Sequence, residues 1–133
     1  MKAYILVCSL IVLSMIIVGC MPSGGWLPVF TPKLTAQVTI TQIEPTSIDA
    51  VRVCYDLKNT GNVTIDYYKI YFIAQCTDNS TITDWTNGLD VLPGTMVSDC
   101  TFFDTGNKTV SSIAVYKIYL TNHEYDLELY INP

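Results

Sequence analysis

Five cysteines, one histidine and twelve carboxylates are the residues of this 133-residue chain with chemistry to offer beyond packing. Cys54, Cys76 and Cys100 are separated by 21 and 23 residues, without the close Cys-x-x-Cys pair that marks a zinc site. The single histidine, His123, stands beside Glu124, and nothing in the sequence brings it to the cysteines. No metal site is expected. An acyl- or phosphoryl-transfer enzyme needs a nucleophile, a base and a group that orients the base. The chain has no Gly-x-Ser-x-Gly elbow and no glycine-rich phosphate loop between a strand and a helix. Glu124, Asp126 and Glu128 alternate, as carboxylates on the solvated side of a strand do. The expectation is a protein without a cofactor and without catalysis.

The fifth and fourth cysteines from the C-terminal end lie in or just after an apolar leader. Lys2 is followed by an uncharged run from Ala3 to Gly19, the pattern of a secretory signal. Its length sits near the lower limit of the roughly 20 apolar residues that cross a bilayer, so length alone does not separate a signal from a retained anchor. Ile17-Val18-Gly19-Cys20 then resembles the lipobox of bacterial lipoproteins, with Val18 where a smaller residue is usual. The resemblance implies cleavage before Cys20, acylation of Cys20 with palmitate-type chains, and a domain on the extracytoplasmic side of a cell membrane or outer membrane. Two or more acyl chains anchor stably where one does so only reversibly. Archaeal surface proteins use a similar signal.

Lys2 leaves with residues 1–19, so seven basic residues become six against twelve acidic ones, a formal charge of −6. That balance opposes a nucleic-acid partner, which needs a basic patch. It equally opposes a polybasic hold on anionic lipid.

With Cys20 assigned to lipid, three cysteines remain in a compartment where disulfides persist. Loop entropy favours closing either shorter loop by about 3.5 kcal/mol and Cys54–Cys100 by about 4 kcal/mol, which decides nothing. Asn59-Thr60-Gly61-Asn62 reads as a hairpin turn. Such a hairpin places Cys54 opposite Tyr67 and far from Cys76. The expected bridge is therefore Cys76–Cys100.

Residues 20–34 hold three prolines and two glycines and read as a tether. Within it Val29 and Phe30 are expected to pack on the domain, whereas Trp26 has no assigned role. From 35 to 133 the apolar period becomes two. Val51, Val53, Tyr55 and Leu57 alternate with Arg52, Cys54, Asp56 and Lys58, a strand with one buried face. The segment 63–76 is apolar on both faces and reads as a central strand. Weaker strands are expected at 81–85 and 89–92, and clearer ones at 95–103, 110–121 and 125–131. Six to eight mostly antiparallel strands in one domain make an immunoglobulin-like β-sandwich, with an up-and-down barrel as the rival.

Nine tyrosines and two tryptophans are many for this length, and such rings serve well at interfaces. Asp84-Trp85-Thr86-Asn87-Gly88 reads as a recognition loop. Trp85, Asn87, Tyr68 and Tyr116 form the expected binding surface, with the other tyrosines divided between core and exterior. Tyr68-Lys69-Ile70-Tyr71 and Tyr116-Lys117-Ile118-Tyr119 are a near-repeat. Asn62, Asn79 and Asn107 are sequons, relevant only in a host that glycosylates exported proteins.

Asp56-Leu57-Lys58-Asn59-Thr60-Gly61-Asn62-Val63, Tyr68-Lys69-Ile70-Tyr71-Phe72 and Leu92-Pro93-Gly94-Thr95 together resemble small immunoglobulin-like domains of prokaryotic envelope proteins, of the FxLYD and CARDB type. The resemblance covers about residues 38–103. The segment Phe72-Ile73-Ala74-Gln75-Cys76 departs from it, lacking an aspartate after the aromatic pair. It implies a binding or structural accessory module with a protein partner in the envelope or at the surface. An inhibitor or immunity-type protein is the alternative, and a small hydrolase a more distant one.

Overall fold

The computed structural model describes residues 27–47 and 49–133. The signal segment 1–19, Cys20 and Trp26 lie outside the described residues. Seven strands follow one another: β1 (Ala36–Pro45), β2 (Ala50–Asn59), β3 (Ile65–Cys76), β4 (Thr81–Val91), β5 (Met96–Asp104), β6 (Val110–Asn122) and β7 (Leu127–Ile131). They form a three-stranded sheet in the order β1-β2-β5 and a four-stranded sheet in the order β4-β3-β6-β7, with every ladder antiparallel. This is an immunoglobulin-like β-sandwich. Among the described residues no helix is long and apolar enough to cross a membrane.

Alternation builds the core. Val51, Val53, Tyr55 and Leu57 of β2 point inward onto Ile65, Ile70, Phe72 and Ala74 of β3, all buried. Ile118 and Leu120 of β6 and Phe103 of β5 complete the layer. Each such aliphatic or aromatic side chain contributes about 1.5–3 kcal/mol on burial. β3 is central, flanked by β4 and β6; its inner face is core, and its outer face carries the half-buried Tyr67, Lys69, Tyr71 and Ile73. The two weak strand signals at 81–85 and 89–92 are one strand, β4, carrying Asp90 at φ 56° near its end.

The turn at Asn59–Asn62 is not a hairpin. β2 and β3 belong to different sheets, so the segment crosses from one layer to the other. Asn59 is fully buried and organises this crossing. Its Nδ2 donates to the carbonyls of Val63 and Val91, both at 2.8 Å, and its Oδ1 accepts from Gly61 N at 2.9 Å. The loop then docks on the chain before β1: Thr60 N donates to Thr35 O, and Asn62 N donates to Lys33 O. A Cβ on Gly61 would lie 2.1 Å from Lys33 O, so only glycine permits that approach.

This topology overturns the expected disulfide. β5, not β3, is the neighbour of β2, and Cys54 lies directly opposite Cys100 in the β2–β5 register. The bridge is Cys54–Cys100, and Cys76 is a buried free thiol on the inner face of β3.

Candidate binding face on the four-stranded sheet

On the outer face of this sheet, sheet geometry gathers residues far apart in sequence. Tyr67, Lys69, Tyr71 and Ile73 of β3 point outward, alternating with the buried set. Tyr71 is the register partner of Trp85 on β4 and of Lys117 on β6. Lys69 is the partner of Asn87 and Tyr119, and Tyr119 in turn pairs with Tyr130 on β7. Between Val115 and Lys117 the β6 register shifts, leaving Tyr116 as an extra residue. Such a bulge re-aims a side chain, and the Tyr116 ring sits 6.0 Å from that of Tyr71.

The two lysines are seated among rings. Lys69 Nζ lies 3.8 Å from the Trp85 ring centroid and 5.0 Å from that of Tyr71. Lys117 Nζ lies 4.8 Å from Tyr71 and 5.5 Å from Tyr130. Each contact is the attraction of a cation for the negative face of an aromatic ring, worth about 0.5–1 kcal/mol at an exposed site. Tyr119 and Tyr130 stack at 4.7 Å, and Tyr67 meets Tyr119 at 6.2 Å. Lost hydration first, then the hydrogen bond to Glu128, push the Tyr119 hydroxyl above its ordinary range. Asn87 Nδ2 donates to the Tyr67 hydroxyl at 3.4 Å. Trp85 is 49% exposed and Tyr130 57%.

Of the residues expected to bind, Trp85, Asn87 and Tyr116 therefore share one face, though on strands rather than on a recognition loop. Tyr68 does not belong with them. It is 2% exposed and points into the sandwich beneath Gly88, where an added Cβ would lie 2.3 Å from its hydroxyl oxygen. Its hydroxyl lies 3.4 Å from that of Tyr55, and burial and then this contact push its ionisation well above the usual tyrosine range. Lys69, Lys117, Tyr71 and Tyr130 are the members that sequence reasoning missed. The i, i+2, i+4 spacing of Tyr67, Lys69 and Tyr71 was the available signal.

Elsewhere the chemistry is sparse. His123 Nδ1 lies 3.2 Å from Asp66 Oδ2, and its backbone N–H donates to the same oxygen at 2.5 Å. This holds the β6–β7 turn at the rim of a cavity of about 480 Å³. A second cavity, about 660 Å³, lies over the disulfide, where Arg52 donates to Cys100 Sγ at 3.4 Å and pairs with Glu44 at 3.8 Å. Among the described residues no group of three or more His, Cys, Asp or Glu side chains is placed to hold a metal.

No protein-family model matches the chain, and no curated protein sequence matches it significantly. Among solved structures it is similar to the ApaA protein from Bordetella pertussis, at a TM-score of 0.50 and 14% identity over 79% of this chain and 91% of that one. It is also similar to IrmA from Escherichia coli, at a TM-score of 0.48 and 10% identity over 73% and 86%. The first of these likenesses is one of fold alone.

Proposed function

We propose that this chain is a non-catalytic binding module of the cell envelope, anchored in a membrane through an acylated Cys20 and docking a macromolecule on the outer face of its four-stranded sheet. One observation carries the reading: the cluster of exposed Trp85, Tyr116 and Tyr130 and half-buried Tyr71 around two lysines, on a face that the sandwich core does not need. Large rings with few rotatable bonds lose little entropy on binding and supply much contact area. A sheet face of standing side chains suits an extended partner surface better than a small molecule, which is usually held in a concave pocket. The lipobox-like Cys20 supports the anchor, and the acidic charge of the exported chain supports a partner other than nucleic acid.

The test is a photo-crosslinking residue placed at Asn87 in cells that produce the full chain, with Thr39 on the opposite sheet as control. The expected result is an adduct from position 87 and none from position 39. Equal adducts at both positions, or none at either, would end the reading.

A further inference from the structure

The face is distinguished by its charge as well as its rings. The chain is acidic overall, yet two cations stand together here, on adjacent strands and beside the same tyrosine. Arg52 and Lys108 are neutralised by Glu44 and Asp78. Lys69 and Lys117 instead have aromatic faces as neighbours, and no described carboxylate lies within ion-pair distance of either. Cation–π contact holds a lysine in place without cancelling its charge. The carboxylates near the face, Asp66, Asp126 and Glu128, gather with His123 towards the β6–β7 turn, with Glu128 reaching the Tyr119 hydroxyl. The face is therefore cationic at the Trp85–Tyr71–Lys117 row and acidic towards the β6–β7 turn.

We infer that this face binds an anionic polysaccharide, a chain of carboxylated sugars, with its carboxylates on Lys69 and Lys117 and its pyranose rings against Trp85, Tyr71 and Tyr130. The inference rests on the docking reading above and names its ligand. Four features suit a glycan, and the first of them disfavours a protein surface. Lysine is depleted in the cores of protein–protein interfaces, whereas here two lysines are central. The rings are tyrosines and a tryptophan, whose apolar faces suit the C–H faces of sugars. The hydroxyls of Tyr71, Tyr116 and Tyr130 hold no hydrogen bond among the described residues and are available to sugar hydroxyls, as is the side-chain oxygen of Asn87, whose nitrogen donates to Tyr67. Strands about 4.8 Å apart also present these rows at an interval close to one sugar ring.

The experiment measures binding of the full chain, in detergent micelles, to polygalacturonate, with neutral dextran and poly-L-glutamate as comparison polymers. The variants are K69M/K117M, which keeps the apolar stems over the rings, W85A/Y130A, and K58M on the other sheet. Thermal unfolding of each checks the fold. The expected result is saturable binding to polygalacturonate that weakens with salt. It should fall at least tenfold in K69M/K117M and in W85A/Y130A, and stay unchanged in K58M. Equal binding of dextran, equal binding of poly-L-glutamate, or full binding by K69M/K117M would overturn the inference. No polygalacturonate binding beside a specific Asn87 crosslink would overturn it while leaving the docking reading standing. No binding and no crosslink would overturn both.

Discussion

The side-chain amide of Asn59 donates to the backbone carbonyl of Val91 at 2.8 Å, joining the end of β2 to the end of β4 across the two sheets. The same amide nitrogen reaches Val63 O, and the Asn59 backbone exchanges hydrogen bonds with Gly94 N and Thr95 O. Both inter-sheet crossings at this end of the domain thus meet on one buried side chain.

Asn59→Ala leaves two buried carbonyls and one N–H without their partners. A buried polar group left unpaired costs about 1–3 kcal/mol, so the expected loss is about 3 kcal/mol. Urea denaturation checks it, as a fall in midpoint at unchanged slope. Asn59→Asp should be no better, because it retains the acceptor and loses the donor.

Gly88→Ala places a methyl group 2.3 Å from the Tyr68 hydroxyl oxygen and 2.4 Å from its ring carbon Cζ. The ring must shift within a packed core, at a cost of about 1–3 kcal/mol. Tyr68→Leu removes the obstacle, so in a double-mutant cycle Gly88→Ala should cost far less in that background. Additive losses would show that the two residues do not meet.

Tyr68 also sets an alkaline limit. Burial raises its folded-state ionisation above the unfolded value of about 10. Below pH about 10 both states keep the proton and stability is unaffected. Above it only the unfolded state ionises, so stability falls by up to about 1.4 kcal/mol per pH unit until the folded value is reached. Denaturation midpoints between pH 9 and 11 should drop in the wild type and drop less in Tyr68→Phe.

Non-reducing peptide mapping should recover Cys54 joined to Cys100, with Cys76 alkylated only after denaturation. Removing the bridge by Cys54→Ala with Cys100→Ala should cost up to about 4 kcal/mol from loop entropy. A Cys76–Cys100 peptide would contradict the β2–β5 register.

Intact-mass measurement of the membrane-extracted chain tests the anchor. The expected species begins at Cys20 and carries the added mass of acyl chains. A species beginning at Met1, or an unmodified Cys20, would exclude lipidation.

Most of the fold was legible because its signals are local. The alternation of Val51, Val53, Tyr55 and Leu57 depends only on near neighbours, and it marks the buried face of β2. The sheet to which a strand belongs is not local. Asn59-Thr60-Gly61-Asn62 has hairpin chemistry, but its glycine serves close approach to Lys33 and its first asparagine is buried. The disulfide error followed from that single misreading, since it made β3 rather than β5 the neighbour of Cys54. Tyr68 was misplaced for a related reason. Both it and Tyr67 read as strand tyrosines, and an interruption of the alternation between Ile65 and Tyr68 decides which of them faces inward. The outer aromatic face needed four strands in register, so only its tryptophan, Asn87 and Tyr116 could be named beforehand.

The bridge between Cys54 and Cys100 has a mechanical consequence. A pull on the N-terminal side of β1 first meets the Lys33–Asn62 and Thr35–Thr60 hydrogen bonds, then the β1–β2 ladder that begins with Ala36 opposite Asn59. Once unravelling passes β2, the 46-residue separation between Cys54 and Cys100 stays short-circuited by the covalent link. At about 3.5 Å per extended residue, about 160 Å of chain is withheld from extension. Stretched from its ends by single-molecule force spectroscopy, the oxidised domain should lengthen by that much less than the reduced one.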